Sequence, residues 1–409
     1  MRITVFTGDG RSLTKRWLLG KDGELESRPA GTMSSGTAKR VDVKDAQRLA
    51  NIINGLERNQ ALSLGTIDAA FASVTTRDEL AENPRPNTIA RTKDYVTYRE
   101  GERAFTLFDF DRKGMPPAVA ETIRRLGGFW PSLVHVLPAL RKVSRVMRNS
   151  TSSGIYRSDT GEVFANSGGI HAFIAVEDGA DSERFLKALQ VKCWFAGLGW
   201  LIVSKSGAIL VRSIIDVAVG TGERLVFEGP PDLAKPLVQD VETRMAIAYG
   251  GSFLDTAKTC PPLADSDLKK FEILKAAERE RLEPEIRKVI ASQVKKIAKE
   301  RGISIKDARL VAEQRCSQHV LLSPEVLPFY DSKFKNCTVG DVLDDPLRFR
   351  WATLADPLEG KDYGRQTAKI YLKDFDGTPW IRSFAHGGTR YELRRDAAHL
   401  KKKIEELTS

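Results

Sequence analysis

The sequence predicts an α/β (α+β) fold in three parts, and three observations support this. Strand-like and helix-like segments alternate through residues 104–219, which is typical of a domain built around a sheet. The stretch Asp265–Gln318 is helical and rich in charge, and residues 327–393 return to strand-like texture with glycine-rich turns. A chain of 409 residues also exceeds one typical domain. We therefore expect a first domain at 1–235, a helical region at 236–325 and a small β-rich module at 326–409.

The first domain is expected to begin with a short strand, followed by a helix over Asp45–Gln60, where apolar residues recur at three- and four-residue steps. Loops are expected at 28–39 and 82–87, where small residues or Asn and Pro cluster. The remaining predicted strands are Ala104–Asp111, Val143–Met147, Ile170–Val176, Gly199–Val203 and Ile209–Val219, with helices at Ala118–Arg125 and Ser182–Leu198.

The helical region is predicted to be interrupted at Pro284. Beyond it one helix face carries an apolar stripe, formed by Ile286, Val289, Ile290, Val294 and Ile297. Cations lie off that stripe, among them Lys295, Lys296 and Lys299. They form either a solvated face without function or a surface that binds a nucleic-acid template. A lysine-rich helical tail is expected over 396–407.

Composition excludes several classes of protein. Lys and Arg number 64 against 54 Asp and Glu, a net charge of +10, which makes a polyanionic partner plausible. Four scattered cysteines are too few for a disulfide scaffold. The first residues lack the apolar run of a signal peptide, and the most apolar stretch, 193–204, is too short for a membrane span. We expect a cytoplasmic protein with no membrane association.

The sharpest local feature is the segment Phe105–Asp111, in which Asp109 and Asp111 end a hydrophobic strand. Residues two apart on a strand face the same side, so the two carboxylates are close enough to share cations. Two like charges held together are costly unless a metal or a base neutralises them. The alternative is a structural role, in which these aspartates cap the turn at Lys113 and Gly114.

A second feature is the glycine-rich turn Asn166–Gly169, which leads into a strand carrying His171. In such a turn backbone N–H groups, here including that of Gly169, can approach a phosphate, and Ser167 and His171 can donate to its oxygens. Taken alone, a histidine at a strand start is more often a satisfied core or edge residue.

The third feature is Asp216, which lies among β-branched residues of a predicted buried strand. A buried carboxylate needs a partner. Arg212 falls on the same face by the period of two, so a plain ion pair is one interpretation. The functional one is a third metal-binding carboxylate beside a phosphate-binding arginine.

In this order, D-x-D, then S-G-G-x-H, then an aspartate on a β-rich strand, the motifs resemble those of the archaeo-eukaryotic primase superfamily. More narrowly, the chain resembles the primase-polymerases of plasmids, phages and integrative elements. The segments 150–156, 223–229, 354–360 and 383–388 also resemble such mobile-element proteins. The resemblance covers most of the chain, with the catalytic motifs inside 105–220. It implies the superfamily's catalytic core, with an RRM-like sheet.

The resemblance further implies a template-directed nucleotidyltransferase that makes primers on single-stranded DNA from NTPs or dNTPs. Asp109, Asp111 and Asp216 would hold two ions, Mg²⁺ or Mn²⁺, and Ser167, Gly169 and His171 would grip the nucleotide triphosphate. Arg212 is added from the strand geometry alone. Two alternatives stay open: a non-catalytic replication initiator or origin-binding protein that keeps the fold, and a two-metal nuclease.

Two kinds of motif are missing from the sequence. It contains no G-x-x-x-x-G-K-[ST], so a separate replicative helicase is the expected partner. Cys316, His319, Cys337 and His386 fit no usual zinc spacing, and no zinc is expected. The aromatic residues Trp351, Trp380, Phe384 and Tyr391 are expected to form a small core rather than a base-stacking platform.

Overall fold

The computed structural model describes residues 1–10, 12–28, 33–204, 207, 209–361, 363–364, 366–373, 375–385 and 389–397. The chain divides into two compact units, one of residues 1–200 and 212–275 and one of residues 201–211 and 276–409. The first unit continues past residue 235 because residues 237–249 supply strands to its sheets. His386 and the predicted tail helix, including Lys401, Lys402 and Lys403, lie outside the described residues.

The elements of the first ninety residues are β1 (Arg2–Gly8), β2 (Arg16–Leu19), β3 (Leu25–Arg28), β4 (Gly36–Asp42), α1 (Ala46–Asn54), β5 (Gln60–Ser63), β6 (Phe71–Thr75), α2 (Arg77–Glu82) and β7 (Thr88–Ala90). Asp45 caps α1 through its side chain, as its position before the apolar run predicts. The helix ends earlier than predicted, because Gly55 terminates it and Gln60 already begins a strand. These strands form a five-stranded sheet in the order β5-β1-β4-β6-β7, with β2 and β3 in a separate sheet.

The rest of the first unit and the hairpin that follows α5 contain β8 (Ala104–Phe110), α3 (Pro117–Arg125), α4 (Phe129–Val136), β9 (Arg145–Asn149), β10 (Ile155–Arg157), β11 (Ile170–Val176), α5 (Ser182–Phe195), β12 (Gly199–Val203), β13 (Ile209–Ser213), β14 (Asp232–Leu233), β15 (Leu237–Gln239), β16 (Ile247–Tyr249) and α6 (Thr256–Thr259). The central element is an antiparallel four-stranded sheet in the order β16-β9-β11-β8. Phe108 packs on Phe185 of α5, and Phe110 stacks on Phe129 of α4, so helices cover that face of β8. Asp109, which alternates with these phenylalanines, points to the opposite face.

The observed class is therefore a mixed α/β protein, as predicted, but with several small sheets rather than a single one. The prediction of a strand over Ile209–Val219 is wrong beyond Ser213. Asp216 caps a short 3₁₀ helix, Val217–Val219, by accepting from the Ala218 amide at 2.9 Å. An aspartate that accepts a bond from the amide two residues on favours such a turn over a strand.

The long helix α7 (Asp265–Arg301) runs through Pro284 without a break, so the predicted interruption there is wrong. The helix ends instead before Gly302, which has a φ of +63°, and Ser304 caps the next helix, α8 (Ile305–Gln318). The apolar stripe is confirmed as a packing face, because Val294 and Ile297 are buried against Ala308 and Ala312 of α8. Lys295, Lys296 and Lys299 are all exposed, away from that core.

The second unit ends in β17 (Val320–Leu322), α9 (Val339–Asp344), β18 (Thr353–Leu354), β19 (Ala368–Leu372), β20 (Pro379–Ser383) and β21 (Thr389–Arg394). The strands form one sheet in the order β17-β21-β20-β19-β18, which includes residues on both sides of the predicted boundary at 325. Its core holds only one of the four aromatic residues predicted to fill it, Tyr391. Trp351 and Trp380 are half-buried, and Phe384 is 53% exposed. The alternation of β20 places Trp380 on the side opposite to the core residue Ile381, whereas Trp351 lies outside the strands of this sheet.

Candidate active site

A row of three charged or ionisable side chains crosses the central sheet. The register pairs His171 of β11 with Asp109 of β8 on one side and with Arg148 of β9 on the other. Directly opposed residues face the same side of a sheet, so the row lies on the face opposite to the one that α4 and α5 cover. Nε2 of His171 lies 3.4 Å from Oδ1 of Asp109. The D-x-D strand and the histidine strand are thus direct neighbours, a pairing that spacing alone does not reveal.

Glu228 completes this row from a different part of the chain. Its Oε1 contacts Nδ1 of His171, and its Oε2 lies 3.3 Å from the Arg148 guanidinium and 3.5 Å from that of Arg244. Glu228 is 1% exposed, and the two arginines are 8% and 3% exposed. A buried carboxylate is tolerated only when it is paired and hydrogen-bonded, and these partners satisfy it. Glu228 therefore fixes the ring of His171 and leaves Nε2 facing Asp109.

The electrostatics of the row keep His171 charged. Burial alone would lower the pKa of His171, but the carboxylates of Glu228 and Asp109 raise it to about 10. Burial would raise the pKa of Glu228, yet His171, Arg148 and Arg244 hold it at about 2. Burial also opposes ionisation of Asp109, but His171 and Lys15 lower its pKa. The site therefore presents an imidazolium between two carboxylates at neutral pH.

This row predicts how stability depends on pH. The raised pKa of His171 stabilises the fold fully below its ordinary value of 6.5, and this stabilisation is lost as pH rises towards about 10. The lowered pKa of Glu228 stabilises the fold above 4.5, and that contribution is lost as pH falls towards about 2. Denaturant unfolding in the presence of a chelator should therefore give a free energy of unfolding that is constant between about pH 4.5 and 6.5 and that declines on either side. His171→Gln should flatten the alkaline decline, and an unchanged decline in this variant would contradict the assignment.

The third motif reaches the same end of the sheet through its backbone. The Asp216 amide donates to the Asp109 carbonyl at 3.1 Å, so the two aspartates are neighbours although 107 positions separate them in the sequence. Asp111 lies just beyond β8, exposed, and its Oδ1 accepts from the Lys113 amide at 3.0 Å. The capping role considered for the D-x-D segment is thus observed for Asp111, whereas Asp109 takes part in the charged row.

The glycine-rich turn lies where β11 begins. Ser167 is exposed, and its hydroxyl lies 2.9 Å from that of Ser150 and 3.1 Å from that of Ser152. Gly168 has a φ of +68°, and an added Cβ would come within 2.7 Å of the Arg112 side chain. A non-glycine residue there would be strained and would collide with Arg112. The Gly169 amide lies 3.4 Å from the Ser167 hydroxyl. The turn thus places three hydroxyls and a cation beside the start of the histidine strand.

The strand-face argument for Arg212 is wrong. Because β13 ends at Ser213, Arg212 and Asp216 do not share a strand face. No ion pair joins these two described residues either. The cation that the structure does place against the turn is Arg112, whose side chain lies beside Gly168.

The carboxylates of Asp109, Asp111 and Asp216 have the chemistry that divalent ions require, but they are not yet arranged around a common point. Carboxylate oxygens are the ligands that Mg²⁺ and Mn²⁺ prefer. The caps made by Asp111 and Asp216 each use Oδ1. Within the described ranges, however, no three His, Cys, Asp or Glu side chains already form a group able to hold a metal. Binding would therefore require these side chains to turn towards a shared ion.

Sequence reasoning missed Glu228, Arg148 and Arg244. Two signals were present in the sequence: Glu228 stands in an otherwise apolar segment ahead of Gly229, and Arg148 directly follows the predicted strand Val143–Met147. Neither signal identifies the partner, because the pairing brings together residues 80 positions apart.

No family model matches the chain, and neither a curated protein nor a solved structure matches it. In the part of the chain that the structure describes, no helix is both long and apolar enough to cross a membrane.

Proposed function

We propose that this chain is a template-directed nucleotidyltransferase, a primase-polymerase that makes primers on single-stranded DNA for a mobile genetic element. The observation that supports it most is the convergence of three motifs far apart in sequence at one end of one sheet. Asp109 faces His171 across β8 and β11, the Asp216 amide binds the Asp109 carbonyl, and the Ser167 turn opens beside them. This is the motif order that the resemblance to the archaeo-eukaryotic primases rests on.

In this proposal the aspartates Asp109, Asp111 and Asp216 hold Mg²⁺ or Mn²⁺. When bound, such ions activate a 3′-hydroxyl and neutralise the triphosphate. His171 contributes a fixed positive charge to the phosphates. Its Nε2 is 3.4 Å from Asp109, longer than a normal hydrogen bond, so the N–H at this nitrogen is the one that can donate to a phosphate oxygen. Nδ1 stays with Glu228, which makes Glu228 a positioning residue.

Ser167 and the amide of Gly169 supply neutral donors for the same triphosphate. The neighbouring hydroxyls of Ser150 and Ser152 orient that of Ser167. Arg112 adds a positive charge beside Gly168. Arg212 drops out of the proposal because its geometric basis is wrong. The required helicase would be a separate protein.

Two other functions use the same residues. A replication initiator that keeps the fold would bind DNA without incorporating nucleotides. A two-metal nuclease could use the three aspartates, but a nuclease has no need of the imidazolium held by Glu228 or of the hydroxyl turn. The charged row therefore favours nucleotidyl transfer.

One assay separates the three functions. The purified chain is incubated with a single-stranded template, labelled nucleotides and Mg²⁺ or Mn²⁺. A primase-polymerase yields labelled products whose composition follows the template, a nuclease shortens the template, and an initiator does neither. Template binding without incorporation, under both metals and with both NTPs and dNTPs, would contradict the proposal.

The cations of α7 predict a template-binding surface. Lys295, Lys296 and Lys299 lie off the stripe through which the helix packs against α8. Changing all three to Glu should weaken binding to single strands of any sequence and flatten its salt dependence, by about 0.7 in the log–log slope for each phosphate that is no longer neutralised. Anisotropy titrations at several salt concentrations measure both effects. An unchanged affinity at low salt would show that the template binds to another surface of the protein.

A further inference from the structure

The solvent side of strands β19–β21 in the second unit is strongly basic. The core side of these strands is apolar, with Ile370, Ile381 and Leu393 buried. The alternation of the strands places the following residues on the other side: Lys369, Tyr371, Trp380, Arg382, Arg390 and Arg394. We call this surface the basic sheet face.

Three cations of this face stand directly opposite one another. The register pairs Lys369 with Arg382, and Arg382 with Arg390, across three adjacent strands. Like charges directly opposed on a sheet destabilise it. Glu392, on the same face, pairs with Arg394 at 2.7 Å. The directly opposed pair Arg382 and Arg390 thus has a cost in folding that a bound polyanion would reduce.

Aromatic rings hold these cations in place. The Arg390 guanidinium lies 4.3 Å from the centre of the Trp380 ring, and the Lys369 ammonium lies 4.9 Å from that of Trp351. Tyr371 joins the two tryptophans, with ring centres 5.0 Å from Trp380 and 5.1 Å from Trp351. Rings on both flanks therefore preorganise the positive row.

Two exposed rings accompany the cations of this face, one at the row itself and one in the connection between β19 and β20. Phe384 is 53% exposed near Arg382, and Phe375 is 83% exposed near Lys373. Large apolar rings exposed next to cations suit a ligand that has both negative charges and flat apolar groups. Single-stranded nucleic acid has both, since its phosphates are evenly spaced and its bases are free to stack.

We propose that the basic sheet face binds single-stranded nucleic acid, with Lys369, Arg382 and Arg390 on the phosphates and Phe375 and Phe384 against bases. This site lies wholly in the second unit, whereas the charged row belongs to the first unit. The inference does not depend on nucleotidyl transfer, because its test is a binding measurement that requires neither metal nor nucleotide.

The test uses the full chain and a labelled oligothymidylate of about 16 nucleotides, followed by fluorescence anisotropy at several salt concentrations. Arg382→Gln/Arg390→Gln should weaken binding about tenfold at low salt and reduce the salt slope by about 1.4, because two phosphates are no longer neutralised. The matched control, Lys306→Gln/Lys335→Gln, removes the same charge from exposed positions elsewhere in the unit and should leave both values near those of the parent. Since it relieves opposed charges, the first variant should also unfold at an equal or higher denaturant concentration.

The outcomes divide clearly. The inference is supported if only the first variant loses binding, and if the parent chain binds the single strand more tightly than a duplex of the same length or phosphatidylserine vesicles. Equal losses in both double variants, an unchanged slope, or stronger binding to the duplex or the vesicles would overturn it. If the Lys295/Lys296/Lys299 variant alone loses binding, the inference fails while the proposed function stands. If binding is retained but no nucleotide is incorporated, the proposed function fails alone.

Discussion

Asp109→Asn should abolish template-directed nucleotide incorporation while leaving the fold intact. The substitution keeps the shape of the side chain but removes the charge that a divalent ion needs as ligand. Stability should fall only modestly, because the lost attraction to His171 and Lys15 is partly offset by relief of the desolvation cost of a buried charge and of the repulsion with Glu228. Incorporation under Mg²⁺ and Mn²⁺ and denaturant unfolding measure the two properties separately.

The matched control is Asp9→Asn, the same chemical change at an exposed aspartate of the same unit. This variant should incorporate nucleotides at the rate of the parent chain. Near-normal incorporation by Asp109→Asn would show that the D-x-D strand does not hold the metals and would remove the basis of the proposed function.

Glu228→Gln should have the largest effect on stability of any single change in the site. It leaves Arg148, Arg244 and the His171 ring without their shared carboxylate in a buried environment. Removing one partner from a buried charged cluster typically lowers the free energy of unfolding by about 3–5 kcal/mol. Chemical denaturation at neutral pH measures the loss.

Glu177→Gln provides the comparison, because Glu177 pairs with Arg103 at 2.7 Å on the surface, where both side chains are largely exposed. An exposed ion pair contributes about 0–1 kcal/mol. Equal losses for the two variants would mean that Glu228 is not the centre of the buried network. A large loss for Glu228→Gln, together with a fall in the pKa of His171 followed by NMR, would confirm it.

The sequence was sufficient for features that depend on local periodicity. The strands around Asp109 and His171, the helix capped by Asp45 and the buried stripe containing Val294 and Ile297 all lie where the pattern of apolar residues predicts them. The sequence also identified Asp109 and His171 as candidate site residues. It could not show that they face each other, because register between strands far apart in the chain is set by tertiary packing.

The errors have physical causes of the same kind. Asp216 was assigned to a strand because β-branched residues surround it, yet its side chain favours a turn by bonding the Ala218 amide. Large aromatic residues are usually buried, which favours a core position for Trp351 and Trp380, whereas both are half-buried and contact cations. Glu228 was missed because a buried carboxylate is explained only by partners distant in sequence.

The most direct measurement of the central claim, that the three motifs form one metal and nucleotide site, is Mn²⁺ binding followed by electron paramagnetic resonance. The parent chain should bind Mn²⁺ more tightly when a nucleoside triphosphate is present, and Asp109→Asn and Asp216→Asn should each lose this effect. Asp9→Asn should retain it. Mn²⁺ binding that no nucleotide strengthens, or that survives in both site variants, would contradict the account.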